Sequence, residues 1–122
     1  MAIKPEYTNE TKELILKVSE SGDTITIKWL GRSTEVNPGI FLGEVFDEVF
    51  SDDSKKVVMN FVELQYMNSS TITPLISVLE KIKNGTGSCI LEYSDSLKWQ
   101  ELSFGALHLF KTADNRVDIV GV

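Results

Sequence analysis

The chain has 122 residues, a length that suits one compact domain with its own hydrophobic core. A hydrophobic fraction of 42% and a charged fraction of 25% are those of an ordinary globular protein. The formal net charge of −6 argues against nucleic acid or an anionic membrane as the main partner, because both require a cationic surface.

Cysteine usage and the N-terminus predict a cytoplasmic location. Cys89 is the single cysteine of the sequence, so no internal disulfide can form and a reducing compartment is the simpler assumption. Residues 1–13 lack the apolar core of a signal peptide, and the sequence contains no apolar span of about 18 residues.

In chain order, the sequence starts with a polar segment, residues 1–11, which we expect to be a loosely ordered lead-in. Apolar and polar residues then alternate at 14–18 and 25–29, on either side of turn-forming residues at 20–23. This pattern predicts a β-hairpin with one buried face. We expect residues 31–39 to form a loop.

A first helix is predicted at the end of this loop. Asn37 is the expected N-cap and Pro38 the first helical residue, because helix starts favour these residue types at these positions. The apolar face of the helix consists of Leu42, Val45, Phe46, Val49 and Phe50.

The centre of the chain predicts a strand, a polar turn and a second helix. Residues 57–61 are a short apolar run of the kind found in buried strands. The turn between strand and helix consists of Met67, Asn68, Ser69, Ser70 and Thr71. One face of an amphipathic helix follows at Ile72, Leu75, Ile76, Leu79 and Ile82.

The last third predicts a strand at residues 88–93, a third helix and a final strand at residues 117–120. Residues 94–96 offer a cap to the third helix, and Gly105 weakens its continuity. The expected apolar face of this helix consists of Trp99, Leu102, Ala106 and Leu109. Together, the elements predict a single-domain α/β fold over residues 1–122, with a mixed sheet of about five strands covered by about three helices.

The sequence offers no arrangement of residues typical of catalysis or metal binding. His108, the single histidine, and Cys89 fall in separate elements and lack metal-ligand spacing. The glycines at 85 and 87 lack the lysine and following helix of a phosphate-binding loop. We therefore expect a protein that is not an enzyme, with no catalytic residue, no metal and no cofactor.

The hydroxyl-rich turn is the strongest candidate site. A hydroxyl at a helix start lies among unpaired backbone N–H groups and near the positive end of the helix dipole, where a phosphate is stabilised. The same residue types are also the preferred N-caps, so helix capping alone explains part of this composition. Pro74 disfavours helical geometry at Thr73, so we expect an irregular helix start or a helix that does not begin until Thr73.

The order of elements and the segment from residue 57 to residue 93 resemble the STAS domain of bacterial anti-sigma factor antagonists. In that family the turn has the form apolar-apolar-Asp-Ser-Ser-Gly, and this sequence has Tyr66-Met67-Asn68-Ser69-Ser70-Thr71 at the corresponding place. The tripeptide Leu30-Gly31-Arg32 is similar to the family's turn after the second strand. The central motif is also similar to the Tyr-Phe-Asn-Thr-Ser of SiaC-type STAS-like regulators.

The resemblance implies a regulatory switch. In the family, a partner kinase of the anti-sigma type phosphorylates the serine after the aspartate, and a metal-dependent phosphatase of the PP2C type removes the phosphate. The corresponding acceptor is Ser69, with Ser70 and Thr71 as alternatives, and the implied partner-binding surface also includes Asn68 and Met67. The expected partners are such a serine kinase and phosphatase, and the expected state is a monomer or weak homodimer.

Three departures from the STAS pattern bear on this expectation. Asn68 replaces the aspartate, Thr71 replaces the glycine, and the family's final helix is not evident after the last strand. The alternatives to a switch are a constitutive protein-binding module without phosphorylation and a small ligand-binding domain or enzyme that uses a cleft beside the turn.

Overall fold

This computed structural model describes residues 3–122. These residues form a mixed sheet of seven strands and three α-helices. The strands are β1 (Glu6–Thr8), β2 (Leu14–Ser21), β3 (Thr24–Ser33), β4 (Lys56–Asn60), β5 (Leu64–Met67), β6 (Ser88–Tyr93) and β7 (Val117–Gly121). The helices are α1 (Gly39–Val49), α2 (Ile72–Asn84) and α3 (Lys98–Gly105), and short 3₁₀ segments lie at Ser69–Thr71 and Ala106–Phe110. The predicted mixed α/β fold is confirmed, with more strands than expected.

The strand order across the sheet, β1-β2-β3-β4-β6-β7, follows the order of the strands in the chain, and β5 pairs with the end of β3. The first three strands are antiparallel neighbours, while β3, β4, β6 and β7 are parallel. Parallel crossovers are right-handed as a rule, and each one here steps the same way along the sheet, which accounts for all three helices covering the same face.

Alternate residues of each strand point towards the helices and form the core. Trp29 is fully buried there, with its ring centroid 4.6 Å from that of Phe61, which in turn lies 4.6 Å from the Phe104 ring. The opposite face of the sheet carries half-buried side chains, among them Ile15, Leu30, Val58, Ile90 and Val120.

The predicted N-terminal lead-in is partly wrong, because residues 6–8 form β1 and pair with β2. Tyr7 is 7% exposed, and its hydroxyl donates a hydrogen bond of 2.7 Å to the Glu48 carboxylate of α1. Burial, together with the Glu48 carboxylate, raises the pKa of Tyr7 above its ordinary value, although the backbone of Lys4 opposes this shift. Residues 1 and 2 of the expected lead-in lie outside the described residues.

The predicted loop at residues 31–39 begins too early, because β3 continues to Ser33. Gly31 adopts a φ of +83°, and a Cβ built on it would lie 2.0 Å from the carbonyl oxygen of Glu13. Register with β5 shifts between Gly31 and Arg32, so the dipeptide marks an irregularity within a strand rather than a turn.

Two of the expected helix caps are also wrong. Pro38 occupies the N-cap position of α1 without a side-chain cap, so Asn37 lies one position too early to cap the helix. Leu97 occupies the N-cap position of α3, and the Ser94 hydroxyl bonds to that of Ser96 instead of a helix N–H. The predicted break at Gly105 is confirmed, since α3 ends there.

The predicted apolar face of the third helix does not match the buried face. Leu102 and Leu109 are 67% and 68% exposed, whereas Phe104 and Leu107 are buried. Gln100 is fully buried beside them: its side chain accepts a hydrogen bond from Ser94 N and donates to the carbonyl oxygens of Phe61 and Leu64. A buried amide therefore sets the orientation of α3, which a search for apolar periodicity cannot detect.

Candidate functional site

The polar turn after β5 is closed by the side chain of Asn68. This residue is the N-cap of the 3₁₀ segment, with extended backbone geometry at φ −81° and ψ 170°. Its Oδ1 accepts hydrogen bonds from the backbone N–H and the hydroxyl of Thr71, at 3.2 Å and 2.9 Å. A 3₁₀ turn precedes the first residue of α2, Ile72, so the helix start is irregular as expected. The expected cause is wrong, because Thr73 is helical despite the Pro74 that follows it.

The amide nitrogen of Asn68 fixes the loop that follows β3. It donates a hydrogen bond of 2.8 Å to the backbone carbonyl oxygen of Glu35. An aspartate has no donor for this bond and would place a carboxylate oxygen opposite that carbonyl oxygen. The Asn68 side chain thus both caps the turn and tethers a neighbouring loop.

Thr71 lies inside the domain. Its side chain is 0% exposed, and its oxygen lies 2.7 Å from the hydroxyl of Ser33, which is also buried. Because the Thr71 hydroxyl donates to Asn68, the Ser33 hydroxyl is the donor in this second bond. Ser33 was not among the predicted site residues, although it continues the inward alternation of β3.

The same network extends to the N-terminal part of the chain. The Glu35 carboxylate accepts a 2.7 Å hydrogen bond from the Nδ2 of Asn9, which is 3% exposed. The Oδ1 of Asn9 in turn accepts bonds from the Leu14 N–H and the Thr11 hydroxyl. Glu35 and Asn9 are therefore further supports of the turn that the sequence did not indicate.

Two of the predicted hydroxyls remain accessible. Ser69 is exposed and Ser70 is half-buried, whereas Met67 at 6% exposure packs into the core as the last residue of β5. Among the five residues predicted for partner binding, the surface is therefore formed by Ser69, Ser70 and the outer part of Asn68.

The turn is electrostatically suited to an anion. Residues 64–79 contain no charged side chain, and the first turn of α2 has no acidic residue. The dipole of the 13-residue helix α2 favours negative charge at this end, although the N–H groups of Thr71 and Ile72 already bond to Asn68 and Ser69. A phosphate on Ser69 would thus meet a positive helix end without a neighbouring carboxylate in the same segment.

A groove of about 1030 Å³ opens between α1 and α2, beside the turn. Its lining includes the apolar side chains of Phe46, Phe50, Val78 and Ile82, and also Ser70. The backbone of α1 borders it through Gly39 and Gly43, and Asp47, Asp52, Asp53, Lys55 and Lys81 contribute its charged side chains. We refer to this feature as the α1–α2 groove.

The other two residues considered in the sequence, Cys89 and His108, have the surroundings of structural residues. Cys89 is fully buried, and burial raises the pKa of its thiol far above the ordinary value, so it remains protonated and unreactive. His108 is half-buried, with its Nε2 3.1 Å from the Tyr93 hydroxyl. Within residues 3–122, no group of histidine, cysteine and acidic side chains is arranged to hold a metal ion.

The helices described between residues 3 and 122 are all too short or too polar to cross a membrane. Comparison with known proteins found no matching family model and no matching curated protein.

Proposed function

We propose that this protein is a non-enzymatic regulatory switch whose binding to a partner is controlled by reversible phosphorylation of Ser69. The observation that carries the proposal is the exposed Ser69 hydroxyl in a turn whose neighbours, Asn68 and Thr71, are held by internal hydrogen bonds. The turn thereby presents one serine in a fixed conformation at a helix start. The motif's resemblance to STAS-type anti-sigma factor antagonists supports the same interpretation.

Phosphorylation at this position acts on binding rather than on folding. A phosphoserine carries about −1.5 to −2 charges at pH 7 and three acceptor oxygens. The helix N-terminus stabilises that charge within the domain, so the fold survives. A partner that docks over the turn meets a bulky dianion, and the complex weakens.

The proposed partners follow from this scheme. A dedicated or anti-sigma-type serine kinase binds the unmodified turn and transfers a phosphoryl group to Ser69. A metal-dependent phosphatase of the PP2C type restores the free hydroxyl. Among the alternative acceptors, Ser70 is half-buried in the α1–α2 groove, while Thr71 is fully buried and already donates its hydrogen to Asn68.

The first test is mass spectrometry of the intact protein and its peptides, purified from the native host with and without phosphatase treatment. We expect a phosphatase-sensitive phosphoryl group on Ser69 in wild type and in a Ser70→Ala control. The Ser69→Ala variant should carry none. A phosphate confined to Ser70, or its absence in every growth state, would contradict the Ser69 switch.

A constitutive protein-binding module is the second candidate. It is favoured by the extent to which Asn68 and Thr71 are used in internal bonds, since these residues then explain the polar motif as a structural cap. This candidate predicts no modification at either accessible serine. The same mass measurement therefore separates it from the switch.

A ligand-binding domain is the third candidate, and the α1–α2 groove is the observation in its favour. Its volume is at the upper end of the ~300–1,000 Å³ typical of small-molecule pockets. Its polar groups, however, are spread from Thr73 and Ser77 on α2 to Asp52 and Asp53 in the loop after α1. We therefore rank it below the two protein-binding functions.

A further inference from the structure

We infer that the α1–α2 groove is the docking site for an amphipathic helix of the partner, with its apolar face inward and basic side chains towards α1. This inference rests on the proposed protein-binding function in either its switched or its constitutive form. It adds the surface that is used and the chemistry of the segment that fills it.

The apolar part of the groove provides the contact for the inward face of such a helix. Phe46, Val78 and Ile82 are 6%, 8% and 5% exposed, and Phe50 is half-buried, so their remaining surface opens into the groove. At the mouth, Val36 is 92% exposed and offers a further apolar contact. Apolar residues three or four positions apart in the partner helix would contact this surface from successive turns of that helix.

The groove geometry favours a helix over an extended segment. An extended peptide gains affinity from a free sheet edge, where its backbone pairs with a strand. Here both walls are helices, α1 and α2, whose backbone groups bond within each helix along most of their length. A bound helix satisfies its own backbone bonds and needs only side-chain contacts from the walls.

Two glycines make room for close approach on the α1 side. A Cβ built on Gly43 would meet nothing within 4 Å, and one on Gly39 would meet a single side-chain atom, Oδ1 of Asn37, at 3.5 Å. Neither residue has a positive φ, so the backbone of α1 does not require glycine at these positions. Glycine in a helix nevertheless lowers helix stability relative to alanine.

The charges of the groove are arranged unevenly between its walls. Asp47 lies on α1, and Asp52 and Asp53 lie in the loop that follows it. Lys55 also lines the groove there, whereas the charged residue of the α2 wall is Lys81. Within residues 3–122, none of the three aspartates forms an ion pair. A helix with lysines or arginines on the edge facing α1 would complement this wall.

The test uses the unphosphorylated full chain and a synthetic peptide as the probe. The peptide is a labelled amphipathic helix of leucine, alanine and lysine, about 14 residues or ~21 Å long, with lysines along one polar edge. Binding is measured by fluorescence anisotropy, and the site is mapped by amide chemical shifts. Control peptides carry glutamate in place of lysine, or the same composition in scrambled order.

Two matched pairs of variants decide the outcome. Gly43→Leu should weaken peptide binding roughly tenfold or more, because it fills the groove, whereas Gly105→Leu, which also faces open space in another helix, should not. Asp47→Lys should weaken binding several-fold more than Glu101→Lys, which makes the same change in net charge on α3. Thermal unfolding of each variant is the control that all four fold.

Several results would overturn the inference: equal effects within either pair, equal binding of the glutamate peptide, or shifts confined to the open face of the sheet. Failure of the peptide to bind would also overturn it. None of these results depends on modification of Ser69, so the failure of the groove and the failure of the switch are distinguishable.

Discussion

Asn68 shows how much of the candidate site depends on one amide group. An aspartate at this position would keep the acceptor for Thr71 but lose the donor to the Glu35 carbonyl oxygen. We expect Asn68→Asp to lower the free energy of unfolding by about 1–3 kcal/mol, the usual cost of leaving such a group unpaired. Urea unfolding measures the change.

Asn37 provides the control for this substitution. Its side chain is exposed and caps no helix, so Asn37→Asp should change stability by less than about 0.5 kcal/mol. Equal effects at the two positions would mean that the hydrogen bond to Glu35 contributes nothing to stability.

A comparison of Gly31 with Gly22 distinguishes the stability cost of backbone strain from that of steric overlap. Both have a positive φ, +83° and +60°, but a Cβ on Gly31 would overlap the Glu13 carbonyl oxygen, whereas one on Gly22 would meet open space. We expect Gly22→Ala to cost about 1–2 kcal/mol from strain alone. Gly31→Ala should cost about 1–3 kcal/mol more, and similar unfolding midpoints for the two variants would contradict this.

At the scale of single residues, the sequence predicted the polar turn before α2 but not which of its hydroxyls are accessible. Asn68, Ser69 and Ser70 lie at the surface of the turn as expected. Thr71 has the same residue chemistry, yet it turns inward because its hydroxyl pairs with Ser33, a residue 38 positions earlier in the chain. Such a long-range bond leaves no signal in local sequence.

At the scale of elements, Arg116 holds the C-terminal end of α2. Its guanidinium donates to the carbonyl oxygens of Ile82, Lys83, Gly85 and Gly87, at distances of 3.0 to 3.4 Å. A cation at this end of a helix also complements the helix dipole. The residue immediately precedes β7 and so joins that strand to the helix.

We expect Arg116→Met to lower the free energy of unfolding by about 1–3 kcal/mol, because charge-assisted bonds to backbone carbonyls are lost. Lys111→Met is a suitable comparison, since Lys111 forms a partly exposed ion pair with Asp118 worth about 1 kcal/mol or less. Urea unfolding of both variants measures the difference. Equal losses would show that Arg116 contributes only as a surface charge.

Elements with strong apolar periodicity were predicted well, and those fixed by polar contacts were not. The apolar face of α1 and most of that of α2 are as expected, because burial of those side chains is the main force that orients the helices. β5 was missed, since two of its four residues are exposed and its pairing with β3 is irregular. The face of α3 was missed because Gln100 anchors it.

At the scale of the whole molecule, Cys89 reports on global unfolding. The thiol is fully buried on the helix-covered face of β6, and its raised pKa disfavours the reactive thiolate. We expect a thiol reagent at mildly alkaline pH to label the native protein on the order of a thousandfold more slowly than the urea-unfolded chain. Rapid labelling in native buffer would indicate local opening of the sheet between β4 and β7.

The one-directional strand order has a consequence for synthesis on the ribosome. β3, β4, β6 and β7 begin at residues 24, 56, 88 and 117, and each adds to the edge left by the strand before it. No strand has to be inserted between two that are already paired. Translation adds about 5–20 residues per second, so each strand is followed by its neighbour in the sheet within a few seconds. The nascent chain can therefore assemble its sheet in the order in which it is translated.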